Sequence, residues 1–267
     1  GFEWADPYRA ERIHAVLAGD ASHTLAASQA LQTDVFSAPA LRLAAMAPDG
    51  TFRGWDGHLR ADSPEAALCE AWWARHLRPA LLAVLVPDDL ARGRMLPGDT
   101  NALLDALDHP GPAFGSDPEA ARDRMLRDTW ATTQADCAQR MGPDRSAWRW
   151  GALHHACFTH ALSRLAGHAE WDTGPAPIGG SAATPMAAGY RASDFRLLAG
   201  ASVRMVVDVG DWDRSVCINT PGQSGDPRSP HYADLMGPWS RGEYVPMLYT
   251  DAAIRDAAED VLTLHPC

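Results

Sequence analysis

Ser224 lies in Gly222-Gln223-Ser224-Gly225-Asp226-Pro227, a glycine-flanked serine of the kind that can act as a nucleophile. A nucleophile elbow needs Gly-x-Ser-x-Gly between a strand and a helix, so that the backbone turns sharply beneath the hydroxyl. Here the second glycine stands one place early and Pro227 follows, so the block reads as a turn whose glycines supply positive φ. His154, His155 and His160 form a second group. Zinc-binding helices place two histidines four apart with a carboxylate nearby. No pair here has that spacing and no Asp or Glu falls between them, which favours packing and hydrogen bonding over metal ligation. Asp208, Asp211 and Asp213 offer oxygens of the type calcium collects, six to eight at a time. No Glu follows at the spacing of a calcium loop, and aspartates also form hairpin turns readily. Asp20, Asp34 and Asp56 fall at predicted helix ends and turns, where a carboxylate caps backbone N–H groups. Residue types alone assemble no complete catalytic set.

The elements that would position these groups change character along the chain. Asp6-Pro7 opens a predicted helix with an apolar stripe of Ile13, Val16 and Leu17, ending at Gly19. Further helices are predicted over His23–Thr33 and around Ala40–Ala47. Ser63-Pro64-Glu65 supplies a cap and a first-turn proline to a helix carrying Leu68, Trp72 and Leu77 inward, until Pro79 kinks or restarts it. Residues 97–116 are rich in Pro, Gly and Asp and read as a surface loop with a short helix inside. Asp117-Pro118-Glu119 then begins a helix running to Met141. Beyond Trp148, alternation and β-branched content predict strands over Ser202–Val209 and Arg214–Thr220, joined by a turn at Gly210-Asp211-Trp212-Asp213. Weaker strands are expected at Ile178–Thr184, Val245–Thr250 and Val261–Leu264, and a short helix at Asp251–Asp260 capped by Thr250 or Asp251. Helices first and strands later predict an α+β fold: a helical segment over 1–147 and a strand-rich segment over 148–267 of the same domain.

Composition narrows the function. The 267 residues can bury a large core, and an apolar fraction of 46% excludes a disordered chain. Net charge is −11, which argues against nucleic acid as a partner because phosphate binding needs a basic face. All 23 basic residues are Arg. The longest apolar run, Ala80–Val86, is far too short to span a bilayer. Cys69, Cys137, Cys157, Cys217 and Cys267 include no CxxC pair, and their odd number leaves at least one free thiol. Buried structural cysteines are the favoured reading, with one disulfide as the alternative.

Several stretches together resemble the penicillin acylase family of N-terminal-nucleophile hydrolases. Gly1-Phe2-Glu3-Trp4 with Tyr8-Arg9-Ala10-Glu11-Arg12-Ile13 is similar to the family segment G-[YF]-x-W…YRAxRI. Gln32, Asp34 and Ser37 match Q-x-D-x-x-S, and Trp55-Asp56-Gly57 matches L-x-x-W-D-G with Phe52 in place of the leucine. Trp148–Leu162 resembles W-x-W-G-x-x-H…H-x-L, with Ala161 where a proline is usual. Gly179-Gly180-Ser181 with Thr184 resembles a GGs-x-x-T turn. The block from Gly222 to Asp234, followed by Trp239, Gly242 and Tyr244, is the most specific match.

The resemblance implies an αββα fold, of which this chain would be the carboxyl-terminal part of the β-chain. It implies hydrolysis of an N-acyl amide, such as a β-lactam side chain or an acyl-homoserine lactone. The attacking hydroxyl belongs to an N-terminal serine whose own α-amine serves as base, a suitable one because its ordinary pKa lies near neutrality. That serine and an oxyanion asparagine are expected upstream of Gly1, so the chain alone is expected to be inactive. The implied partners are the upstream β-chain segment, the α-chain of the same precursor and a small N-acyl substrate. No cofactor is implied in this segment, a structural calcium in the full enzyme being compatible with the family. The implied compartment is the periplasm or the exterior. Arg12 matches a family arginine beside the active site that steadies the asparagine and the nucleophile. Without the resemblance it reads as a surface arginine pairing with Glu11 or Asp20, and Arg9 takes the family role if the register shifts by one turn. The alternative function is a non-catalytic relative that keeps the fold for binding. A weaker one is an autonomous metal hydrolase built on the histidines.

Overall fold

The computed structural model describes residues 6–19, 22–95 and 99–266. The chain opens on helices α1 (Tyr8–Gly19), α2 (Leu25–Gln32) and α3 (Ala38–Ala44). Ser37 caps α3 by accepting the Ala40 N–H at 3.2 Å, with Pro39 in the first turn where its missing donor costs nothing. Helix α4 (Pro64–Ala71) begins as the sequence predicts, the Ser63 hydroxyl accepting the Ala66 N–H at 3.0 Å. It continues into a π-helical turn over Trp72–Leu77 and then α5 (Arg78–Leu85). Pro79 therefore follows a widened turn. A regular turn would demand an N–H that proline lacks and would press its ring on the carbonyl four residues earlier. Leu68, Trp72 and Leu77 are all fully buried, as predicted.

Helices α6 (Asp89–Met95) and α7 (Thr100–Asp108) come next. The predicted surface loop is more structured than expected, because α7 buries Leu103, Leu104 and Leu107. Helix α8 (Pro118–Met141) has the predicted bounds, set by the Asp117 cap and by Gly142 at φ +90°. Short elements follow: α9 (Trp150–Leu153), β1 (His155–Phe158), α10 (Ser163–Ala166), β2 (Thr173–Pro177), β3 (Ala188–Tyr190) and β4 (Leu197–Gly200). The chain closes with β5 (Val203–Val206), β6 (Val216–Asn219), α11 (Met236–Ser240), β7 (Val245–Pro246) and α12 (Asp251–Ala257). Among the described residues the strands pair antiparallel as β1-β2, β3-β4 and β5-β6-β7. The class is α+β, helices preceding strands.

The predicted hairpin is β5–β6, with Val203 opposite Asn219 and Val206 opposite Val216. Thr250 caps α12. Two expected strands are absent. Residues 178–184 form turns, since Gly180 adopts φ +78° and the Thr184 hydroxyl donates back to the Ser181 carbonyl at 3.0 Å. Residues 261–264 are irregular and leave Val261, Leu262 and Leu264 more than four-fifths exposed. The strand expected over Val245–Thr250 is cut to Val245–Pro246. Proline gives the ladder no donor, and Asp213 takes the Tyr249 and Thr250 N–H groups at 2.7 and 2.9 Å.

Contacts divide the chain into unit 1 (Gly1–Ala21, Thr33–Ala201) and unit 2 (Ser22–Gln32, Ser202–Cys267). Unit 1 holds the large apolar core, from Leu43 through Trp72, Leu104, Trp130 and Trp150 to Phe195. In unit 2, β5 buries Arg204 and Val206 while Val203 and Met205 face outward. The Gln32 amide donates to the Met205 carbonyl at 2.9 Å and accepts the Tyr244 hydroxyl at 2.9 Å. Cys69, Cys137, Cys157 and Cys217 are free thiols, and Cys267 lies outside the described residues.

Candidate functional site

Helix α1 presents Arg12 from unit 1, and its partner is Asp34 rather than Glu11 of the same helix. Nε donates to Asp34 Oδ2 at 2.7 Å, and the guanidinium carbon lies 4.6 Å from the Phe36 ring centre. Asp20, the other sequence-based candidate, lies outside the described residues. The Asp34 side chain is only 10% exposed, and its Oδ1 accepts the Phe36 N–H at 2.8 Å. Nε and the aromatic face thus fix the guanidinium plane, while its terminal N–H groups make no hydrogen bond among the described residues. Arg9 is half-buried on the same helix and makes no ion pair among the described residues.

The charge alternation continues behind Asp34. His58 pairs with Phe36 in an isolated antiparallel bridge and packs edge-on against its ring at 5.4 Å. Its Nε2 lies 3.9 Å from Asp34 Oδ1, and its Nδ1 lies 3.2 Å from Asp56 Oδ2 without hydrogen-bond alignment. Asp56 accepts the Arg60 guanidinium at 2.8 and 3.0 Å and the His58 N–H at 3.0 Å. The Arg60 hydrogen bond, more than any other contact, holds the Asp56 carboxyl well below its ordinary range. The sequence reading of Asp34 and Asp56 as caps is half of the story: each caps a turn and also holds an arginine.

Stretches far apart in the sequence meet around this cluster. Leu59 N–H donates to the Val35 carbonyl, Ser37 N–H to the Gly57 carbonyl, and Met186 N–H to the Asp34 carbonyl, at 2.9, 3.0 and 3.0 Å. The Leu59 carbonyl accepts the Gly180 N–H at 2.7 Å, and the Gly180 carbonyl accepts the Trp150 indole N–H at 3.0 Å. Gly179 is required by close approach, since a Cβ there would stand 2.7 Å from the Leu59 carbonyl oxygen. Gln32, whose residue type completes the Q-x-D-x-x-S stretch, belongs to unit 2.

The other candidates are placed apart in chemistry. His154 Nδ1 lies 2.9 Å from the Phe195 carbonyl oxygen, and its buried Nε2 has no hydrogen-bond partner among the described residues. Burial drives its pKa down to about 4, so it is neutral at neutral pH. His155 Nδ1 lies 2.9 Å from the Leu153 carbonyl oxygen, and the His160 ring packs edge-on against Trp171 at 5.1 Å. Among the described residues no three His, Cys, Asp or Glu side chains converge to hold a metal ion. In the aspartate loop, Asp208 Oδ1 accepts the Gly210 and Asp211 N–H groups, and Asp213 takes two backbone N–H groups and the Thr250 hydroxyl. In unit 2 the Ser224 N–H donates to the His231 carbonyl at 3.0 Å, and its hydroxyl accepts the Asp226 N–H at 3.1 Å. The block is a knot of turns, with His231 tied to Asp234 at 2.9 Å. A Cβ at Gly222 would fall 2.3 Å from the His231 carbonyl oxygen. Sequence reasoning missed the buried Glu70–Tyr190 hydrogen bond, whose partners are 120 residues apart.

Helices followed by small antiparallel sheets, with an oriented arginine where scattered motif stretches meet, define an α+β protein with one polar candidate centre in unit 1. A profile of the family described as penicillin amidase matches residues 1–256, and the chain belongs to that family. It is 28% identical to the acyl-homoserine lactone acylase QuiP of Pseudomonas aeruginosa, over 91% of this chain and 34% of that protein. It is 31% identical to the penicillin acylase 2 proenzyme of Pseudomonas sp. strain SE83, over 91% of this chain and 33% of that protein. The chain thus spans about a third of the length of the curated relatives it matches. A solved structure of thermostable penicillin G acylase from Alcaligenes faecalis superposes with a TM-score of 0.48 at 17% identity, covering 100% of this chain and 53% of that one. No helix among the described residues is long and apolar enough to cross a membrane.

Proposed function

We propose that this chain is the carboxyl-terminal part of an amidohydrolase that cleaves the amide of an N-acyl substrate. The observation that carries the reading is the family match over residues 1–256. The names of the relatives favour an acyl-homoserine lactone or a penicillin as the substrate class. The attacking group in this reading is the hydroxyl of an N-terminal serine on polypeptide outside these residues, in a periplasmic or secreted enzyme. Arg12 acts as a positioning residue: Asp34 and Phe36 hold its plane, and its terminal N–H groups steady acceptors next to the reacting atoms. The role depends on orientation, so Arg12→Lys, which keeps the charge and loses the planar fork, should not restore it.

The test is to express the whole coding sequence, identify its polypeptides by intact mass and N-terminal sequencing, and follow amine release from both substrates. The expected result is a second polypeptide beginning with Ser, and turnover that falls by about a hundredfold in Arg12→Ala through kcat more than KM. Absence of release from every N-acyl substrate would leave the non-catalytic reading in its place.

A further inference from the structure

The β3–β4 hairpin of unit 1 is fastened to the helical core by a buried polar and aromatic cluster. Glu70 on α4 is 5% exposed and accepts a hydrogen bond from the Tyr190 hydroxyl of β3. The Tyr190 ring stands edge-on to Trp150 and His154, each at 5.3 Å, and packs on Phe195 at 5.5 Å. Phe195, in the hairpin connection, is fully buried at φ +59°, a left-handed conformation that is strained for a bulky residue and lasts only when its surroundings enforce it. The hairpin connection is also held by Arg75, which donates to the Ala192 and Ser193 carbonyls at 3.2 and 2.8 Å.

A carboxyl buried with one hydroxyl donor is better accommodated neutral than charged. The groups facing Glu70 are Tyr190 from β3, Arg78 from α5 acting through space, and Cys69 of its own helix. Helix α8 presents Cys137 to the same core, and α9 leads into His154. Burial keeps both neutral, lifting the Cys137 thiol to about 12 and lowering His154 to about 4. Burial likewise lifts the Glu70 carboxyl from 4.5 to about 7, outweighing Tyr190 and Arg78.

We propose that the Glu70–Tyr190 contact is a proton-operated latch, closed on the β3–β4 hairpin when Glu70 carries its proton and loosened when the proton leaves to solvent. The closed state binds the proton more tightly than the open one, so closure is favoured at acid pH and weakens as pH rises from about 4.5 through about 7. The latch is independent of the hydrolase reading and of any residue assigned to it.

Hydrogen exchange of this chain, corrected for intrinsic rates and compared between wild type and Glu70→Gln at pH 6 and pH 8, tests it. Relative to the variant, wild-type peptides covering residues 188–200 should lose about tenfold in closing equilibrium over that interval. His154 titrates in the opposite sense in both proteins and cancels in the comparison. Equal pH responses would overturn the latch. Should Glu70→Gln fail to fold, 13C NMR titration of the Glu70 carboxyl in the wild-type chain decides: a midpoint near 7 supports the latch, and one near 4.5 ends it.

Discussion

Arg12 and Asp34 divide their work unequally. Arg12 is 30% exposed, so its charge attraction is screened and contributes under about 1 kcal/mol. Asp34 is nearly buried and also terminates the Phe36 N–H, so its loss orphans two donors. Asp34→Ala should therefore cost about 1–3 kcal/mol in urea unfolding, and Arg12→Lys less than about 1. His154 gives a signed pH effect. Its folded pKa, about 4, lies below the ordinary 6.5, so its stabilising contribution is intact above 6.5 and is lost as pH falls toward 4. The lost stability amounts to about 3 kcal/mol at most. Between pH 7 and pH 4.5, His154→Gln should lose less stability than wild type, and equal losses would contradict the assignment. Little of this was legible in the sequence. Arg12 was visible only through a resemblance, and Asp34, 22 residues away, only as a turn former and a match to Q-x-D-x-x-S, not as its partner. The histidines looked like a cluster because they are adjacent in sequence, yet strand alternation and a loop send their rings to different partners.

Elements with strong local signals were read correctly. Ser63-Pro64 and Asp117-Pro118 start α4 and α8 because a capping oxygen and a proline in the first turn satisfy groups that neighbours cannot. Ser63→Ala should lower stability by about 1 kcal/mol, seen as a drop of roughly 2–4 °C in Tm. An unchanged Tm would mean that tertiary packing alone holds that end of α4. The β5–β6 pairing was legible from alternation and β-branched residues. What failed were two short stretches that join no strand ladder: 178–184 is bent by Gly180, and 261–264 pairs with no strand among the described residues. A hydropathy pattern shows which residues avoid water but not whether a neighbouring strand exists to accept their N–H groups. The short helix expected inside the Pro- and Gly-rich stretch is α7, whose flanks, not its interior, carry the turn residues.

Across the whole chain, the large core cluster belongs to unit 1, whereas unit 2 rests on Val206, Ile218, Met236, Trp239 and the guanidinium of Arg204 over Trp239 at 5.0 Å. Native-state hydrogen exchange should show protection factors in β5 and β6 well below those of α4 and α8. Equal protection would mean that the chain opens as a single cooperative body. The widened turn at Trp72–Leu77 has a consequence for how this stretch tolerates insertions and deletions. In an unbroken α-helix, the nine steps from Leu68 to Leu77 make about two and a half turns, which sets their side chains on opposite sides of the axis. Removing one residue between 73 and 76 would restore a regular spiral of about 2.2 turns between them and leave the phase of α5 against α4 nearly unchanged. Leu81 and Leu82, almost fully buried, would stay on the inward side. The wide turn is thus a phase adjuster, and single-residue gaps in sequence alignments should fall within it.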